Sequence, residues 1–124
     1  ERLCLKMGEA FVQDGFNDEQ ALVIEGKKGL SLVVGCAHPG IMNMADTAKA
    51  LFKQPLLAIY GGIHLYEADE ARLQACIDYF SRHEQLDSLA LGHCTGELAI
   101  KQIAENFKIY RPLHSGASFT LESP

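Results

Sequence analysis

The sequence predicts a layered α/β fold. Two apolar, β-branched segments separated by a Gly-Lys-Lys-Gly turn indicate a hairpin, and strand-like and helix-like segments alternate after it. Such alternation is typical of layered α/β folds. The length of 124 residues suits one domain, so we expect a single domain over residues 1–124.

The first half of the chain is predicted to hold the hairpin and one helix. The hairpin strands are apolar and β-branched, the helix has apolar residues three and four positions apart, and Pro55 would end it. The predicted elements are possible strands at 3–6 and 10–13, hairpin strands at 20–25 (QALVIE) and 30–36 (LSLVVGC), and a helix at 41–53. Residues 1–19 otherwise form a poorly defined N-terminal segment.

The second half repeats the strand–helix pattern. Its strands are short and apolar and end at glycines, Asp69 and Glu70 place negative charge at the positive end of a helix, and Thr95 suits an N-cap position. The predicted elements are a strand at 56–60, a helix from 69 to about 83, a strand at 88–91, a helix from 95 to 107, and a final edge strand at 117–121.

Composition narrows the class of protein. No apolar run approaches the roughly 20 residues that span a bilayer, and no signal peptide opens the chain. A net charge of −5 argues against nucleic-acid binding. The four cysteines have neither CxxC spacing nor the density of a disulfide scaffold, which indicates reduced thiols in a cytoplasmic protein. The chain begins with Glu1 and not with Met, which predicts a processed, truncated or excised product.

Three histidines occupy equivalent places at the ends of predicted strands. His38, His64 and His93 each follow a strand and a glycine-containing turn, in GCAHPG, YGGIHL and LGHCTG. The carboxyl ends of parallel strands share one sheet edge, so three imidazoles could converge there and bind Zn, or alternatively Mn or Fe. The helices after His38 and His93 would also point their N-termini at that edge, which favours a bound anion. Hydrogen-bonded structural histidines remain the alternative.

Other polar residues are weaker candidates. Cys36 and Cys94 lie beside the histidines, so a structural Cys₂His₂ zinc site is conceivable, but adjacent residues seldom ligate one ion and small, buried or supporting roles are favoured. His114 could line the site. The remaining groups have no assigned chemistry and are expected to be structural or solvated: Asp18, Glu19, Lys27, Lys28, Asp46, His83 and Glu97.

The segments DEQALVIEGKKGLSLVVGCAHPGIMNM, IYGGIHL and LGHCTGELA resemble the metallo-β-lactamase superfamily, and within it the branch of dihydropterin ribofuranosyl-aminobenzene-phosphate synthase-like hydrolases. The resemblance runs from residue 18 to the end. It implies the C-terminal half of an αββα sandwich, with a mixed sheet, helices on one face, and a dinuclear metal centre between two pseudo-equivalent halves. It also implies that His38 serves the first metal, that His93 serves the second, and that His64 stands where many members have a bridging aspartate.

The HxHxDH motif of that family, which supplies several metal ligands, does not occur in this sequence. The resemblance therefore implies part of a metal-dependent hydrolase of esters or phosphoesters that is inactive alone. The alternative is a non-catalytic remnant or a small binding or oligomerisation module that keeps an anion-friendly pocket at the strand ends. A doubly wound nucleotide-binding domain is the least favoured, because no Gly-rich phosphate loop follows the first strand.

Half of a sandwich would leave one face of its sheet without cover. The strands are apolar enough to require cover on both faces, so an isolated half would expose a large apolar patch. We therefore expect a homodimer, a larger oligomer, or a complex with the missing N-terminal half. A small anionic substrate is compatible with this expectation, whereas nucleic-acid and membrane partners are not expected.

Overall fold

A computed structural model describes residues 3–121, which form two sheets and three helices. The strands are β1 (Cys4–Met7), β2 (Ala10–Gln13), β3 (Ala21–Glu25), β4 (Leu30–Val34), β5 (Leu56–Gly61), β6 (Ser88–Leu91) and β7 (Tyr110–Pro112). The helices are α1 (Ile41–Phe52), α2 (Glu70–Ser81) and α3 (Glu97–Asn106), and a 3₁₀ turn covers His93–Thr95.

The larger sheet has its strands in chain order, β3-β4-β5-β6-β7. The β3–β4 pair is antiparallel and the other three pairs are parallel, so the sheet is mixed as predicted. Since each parallel crossover contains one helix and right-handed crossovers are the rule, strands added in one direction put all three helices on the same face. The carboxyl ends of β4, β5 and β6 therefore meet at one edge.

The core lies between this sheet and the helices. Leu30 and Leu32 of β4 are fully buried and pack with apolar residues of all three helices in one cluster. Phe80 of α2 is the largest fully buried side chain among the described residues, and Leu89 of β6 and Ile103 of α3 are fully buried as well. Burying side chains of this size contributes about 1.5–3 kcal/mol each. No helix within residues 3–121 has the length and apolar character required to cross a membrane.

Most of the predicted elements are confirmed, but the predictions for Thr95 and for residues 117–121 are wrong. Thr95 lies in the 3₁₀ turn, fully buried, and its Oγ1 accepts a hydrogen bond from the backbone N–H of Ile63 at 3.3 Å, so Gly96 takes the N-cap position of α3. The last strand is β7, and residues 117–121 are not a strand. A strand of three residues that contains arginine and proline has no recognisable apolar alternation.

The face of the sheet opposite the helices is partly covered by the end of the described chain. The ring of Phe119 lies 5.4 Å from that of Tyr60 in β5, and Thr120 and Leu121 line a small pocket on this face with Ile24 and Tyr60. Leu22 of β3 remains 60% exposed. The expected apolar face is therefore present but partly covered.

The N-terminal hairpin β1–β2 exposes an apolar face of its own. Leu5 pairs with Val12 and Met7 pairs with Ala10, so these four side chains share one face of the hairpin. All of them are exposed, and Met7 is 64% exposed. The hairpin is therefore an exposed apolar surface of the described structure.

Candidate metal centre

The three loops that carry the predicted histidines are joined by backbone hydrogen bonds. The N–H of Gly62, after β5, donates to the carbonyl of Gly35, after β4, at 2.9 Å. The N–H of Gly92, after β6, donates to the carbonyl of Gly61 at 3.3 Å. A Cβ atom on Gly61 would lie only 2.0 Å from the carbonyl oxygen of Val34, so the close approach requires glycine there. The strand ends therefore form one connected edge.

Each loop also holds one non-glycine residue in the left-handed backbone region. Ala37 has φ of 55°, His64 of 48° and His93 of 52°. This conformation is costly for residues with a Cβ, and it persists where surrounding contacts enforce it, frequently at functional sites. The backbone of the two histidines is thus fixed by the loops and not only by their side chains.

His38 is held by a carboxylate. The Nδ1–H of His38 donates to Oε2 of Glu19 at 2.6 Å, and the backbone N–H of Ala37 donates to Oε1 of the same carboxylate at 2.8 Å. The ring of Phe16 stacks on that of His38 at 4.9 Å. Because Nδ1–H is directed to Glu19, Nε2 is the ring nitrogen of His38 that remains available to a metal ion.

The same contacts keep Glu19 ionised. Burial acts to raise the pKa of the Glu19 carboxyl, but the hydrogen bond and charge of His38, together with the backbone N–H of Ala37, outweigh it and lower the pKa. Glu19 had no assigned chemistry in the sequence, so this pair was missed. The hairpin register contains the signal: Ala21 pairs with Val34, which brings the residues before β3 beside those after β4.

His64 lies against His38 and has an unpaired nitrogen. The two ring centroids are 4.5 Å apart, and the ring of Tyr66 meets that of His64 edge to face at 5.2 Å. Among the described residues, Nδ1 of His64 is the buried side-chain nitrogen or oxygen without a hydrogen-bond partner. Burial, followed by the charges of His38 and Arg72, lowers the pKa of His64 and favours the neutral imidazole. A buried, neutral and unpaired nitrogen suits a metal ligand.

His93 groups with two cysteines. Donor atoms of Cys36, His93 and Cys94 all lie within 4.8 Å of one another, the one such group of three found in residues 3–121. The Cys94 thiol donates to the carbonyl of Cys36 at 3.7 Å, and burial raises its pKa to about 11. The three histidines therefore do not form a single compact trio. Two of them, His38 and His64, are in ring contact, and His93 joins the cysteines, while His114 is exposed and turns its Nδ1 to the Ser115 carbonyl.

This donor set fits a metal ion. The imidazoles of His38 and His64 offer nitrogen ligands, and a carboxylate orients the ring of His38. The separate group at His93 adds two thiols. The residues that could hold the ion come from the ends of three neighbouring strands, which fixes their backbone positions before any ion binds.

No family model matches the chain. Over 107 residues, 85% of its length, the chain is 36% identical to the 7,8-dihydropterin-6-methyl-4-(β-D-ribofuranosyl)-aminobenzene-5′-phosphate synthase of Methanocaldococcus jannaschii, of which it covers 36%. It is 30% identical over 102 residues to the uncharacterized protein MJ0448 of the same organism, and covers 36% of that protein as well. The chain thus spans about a third of the length of these relatives.

A solved structure extends the likeness to the fold. The crystal structure of Tm1679, a metal-dependent hydrolase of the β-lactamase superfamily, superposes on 97% of this chain with a TM-score of 0.88 and 25% identity. The chain covers 47% of that protein. The predicted α/β fold, with its mixed sheet and helices, is confirmed by this match. In sequence the chain is similar to these relatives, and in fold it matches the metallo-β-lactamase superfamily.

Proposed function

We propose that this chain contributes histidine ligands to the metal centre of a hydrolase that cleaves an ester or phosphoester bond in a small anionic molecule. The observation that carries the proposal is the unpaired, buried Nδ1 of His64 beside the Glu19-oriented ring of His38. We assign His38, His64 and His93 as metal ligands, with zinc as the first choice and manganese or iron as alternatives.

The residues of this chain would bind the metal ion and orient its ligands, and they would not themselves transfer protons. A bound metal ion lowers the pKa of coordinated water and supplies hydroxide near neutral pH. Glu19 fixes the tautomer of His38, and the left-handed backbone at His64 and His93 fixes the direction of both side chains. Because the sequence contains no HxHxDH motif, we propose that the chain is inactive until ligands from another chain or segment complete the centre.

An anionic substrate is favoured by the two helices that begin at the histidine edge. Gly40 precedes α1 and Gly96 precedes α3, and neither N-cap makes a side-chain hydrogen bond to its helix. Their first-turn N–H groups and the positive ends of the helix dipoles favour phosphate or carboxylate. The 36%-identical relative is named as the synthase of a 5′-phosphate compound, which agrees with a phosphorylated substrate.

A non-catalytic role is the second candidate. The three histidines do not form one compact trio, and the anion-friendly helix ends would serve a binding module as well as an enzyme. In that case the chain would retain a pocket for a small anion without hydrolysing it. Metal-dependent turnover in the presence of a segment carrying HxHxDH distinguishes the two candidates.

We propose that the apolar hairpin and the open face of the sheet are covered by a second copy or by the rest of the fold. Phe11 is 71% exposed, and the apolar face of β1–β2 that contains Met7 is exposed throughout. The chain covers 47% of Tm1679, so about half of that protein lies outside the match, which supports cover by the rest of the fold. A stable, well-folded monomer at micromolar concentration in analytical ultracentrifugation contradicts the homodimer.

Native mass spectrometry of the purified chain tests the ligand assignment, since it reports subunit number and bound metal together. We expect bound metal to be lost in His38→Ala and His64→Ala. It should be retained in His114→Ala, because the exposed ring of His114 lies outside both groups of candidate ligands. Circular dichroism of each variant separates loss of ligand from loss of fold. Metal binding that is indifferent to His38 and His64 refutes the assignment.

A further inference from the structure

Cys36, His93 and Cys94 bring two thiols and an imidazole together from two strand ends that are far apart in sequence. Cys36 follows β4, His93 and Cys94 follow β6, and β5 lies between these strands in the sheet. The donor atoms nevertheless lie within 4.8 Å of one another. Donors on a tetrahedral zinc ion lie roughly 3.3–3.8 Å apart, so small side-chain rotations would close this group around an ion.

The position of Cys94 is built by close packing and not by a flexible loop. A Cβ on Gly62 would lie 2.6 Å from Sγ of Cys94, so this thiol fits only against the bare backbone of a glycine. The backbone carbonyl of Cys94 accepts a hydrogen bond from the N–H of Tyr66 at 3.3 Å. The next residue, Thr95, is fully buried, and its Oγ1 accepts a hydrogen bond from the N–H of Ile63. The turn is therefore anchored on both sides of the thiol.

The backbone conformation at His93 also indicates a built site. It adopts φ of 52°, a region that residues with a Cβ seldom occupy, and Gly92 before it could not carry a side chain, because a Cβ there would lie 2.3 Å from the carbonyl oxygen of Leu113. His93 itself remains exposed, so its ring is accessible to an ion from solvent. Strained backbone that surrounding packing enforces is characteristic of functional sites.

We propose that Cys36, His93 and Cys94 form a thiolate-bearing metal subsite, which selects a thiophilic ion such as Zn²⁺, Co²⁺ or Cd²⁺ over Mn²⁺ or Mg²⁺. Two soft sulfur donors and one imidazole favour such ions, and three protein ligands leave a fourth position open to water. The inference deepens the proposed function by naming the donors that act with His93. It also stands if the chain takes no part in hydrolysis.

Titration of the reduced chain with Co²⁺ under anaerobic conditions tests the subsite, because thiolate ligands give an intense sulfur-to-cobalt charge-transfer band in the near ultraviolet, whereas imidazole and carboxylate ligands do not. We expect the band in the native chain, about half its intensity per bound cobalt in Cys36→Ser and in Cys94→Ser, and none in the double variant. Cys4→Ser is the matched control, since Cys4 lies on the exposed hairpin, and it should leave the band intact. Excess Zn²⁺ should displace the cobalt and excess Mn²⁺ should not.

Three results overturn the subsite. They are a folded chain that binds no cobalt, cobalt bound without the band, and a band that survives in the double variant. Circular dichroism confirms folding, and Cys36→Ser gives an independent test if Cys94→Ser misfolds. Cobalt that binds without the band and is lost in His38→Ala leaves the proposed function standing while refuting the subsite. A thiolate band in a chain that never supports hydrolysis confirms the subsite while refuting the proposed function.

Discussion

Replacing Glu19 with glutamine is predicted to weaken metal binding while leaving the fold intact. The carboxylate accepts two hydrogen bonds, from Nδ1 of His38 at 2.6 Å and from the N–H of Ala37 at 2.8 Å. The side chains of Glu19 and His38 are only 13% and 22% exposed, so water does not readily replace the lost contacts. Glutamine keeps the size of the side chain but removes its charge, and its amide can present either a donor or an acceptor to His38. The His38 ring then loses its fixed tautomer.

The expected loss follows from the role of such carboxylates. Partners that orient a ligating histidine typically contribute 10–100-fold to metal affinity, so Glu19→Gln should raise the dissociation constant by about that factor. This corresponds to about 1.4–2.7 kcal/mol of binding free energy. Isothermal titration calorimetry with Zn²⁺ measures the change directly, or competition with a chromophoric chelator where binding is too tight.

Asp18→Asn is the matched control for this experiment. Asp18 is the exposed neighbour of Glu19, and the same loss of one negative charge there should alter affinity little. Equal affinities for Glu19→Gln and Asp18→Asn, with both chains folded, would show that the carboxylate does not orient a metal ligand.

Two further predictions concern stability. Gly62→Ala should lower the free energy of unfolding by about 1–3 kcal/mol, because the added Cβ would lie 2.6 Å from Sγ of Cys94. Gly35→Ala is the control: its Cβ would have no atom within 4 Å, so it should change the free energy of unfolding by less than about 0.5 kcal/mol. Urea unfolding of both variants checks this, and equal midpoints contradict it. The hydrogen bond that Tyr79 donates to Asp46 at 2.7 Å is the main cause that lowers the pKa of Asp46 from 3.8. Its contribution to stability is therefore present above the unfolded pKa and is lost as pH falls through the lower folded pKa. Tyr79→Phe should reduce this loss when urea midpoints are compared from about pH 5 to about pH 2, and an unchanged slope contradicts the assignment.

The regular elements of this fold could be predicted because local sequence decides them. The hairpin of β3 and β4, helix α1 and strand β6 have apolar periodicity, turn glycines and a proline that agree with one another. The short edge strand β7 could not be found in this way, because its pairing with β6 alone defines it. Thr95 was mistaken for an N-cap because its hydroxyl serves a loop more than thirty residues earlier in sequence.

The candidate site was only partly predictable for the same reason. The strand-end position of His38, His64 and His93 follows from chain order, but their grouping depends on the loops. Glu19 binds a residue 19 positions away, and Cys94 meets Cys36 across 58 positions. Such contacts arise from sheet register and from glycines that admit a close neighbour, so a pattern of residue types along the chain does not show them.

The loops at one end of the strands carry the candidate ligands, and the loops at the other end do not. The connections at the strand ends away from the histidines are short, at residues 26–29, 53–55, 82–87 and 107–109, and none of them carries a candidate ligand. Lys27 and Lys28 in the first of these turns are exposed amines. A fluorophore, an affinity handle or a surface linkage could be attached there. The label or surface would then lie at the strand ends opposite the ligand-bearing loops, which would stay free to face solution.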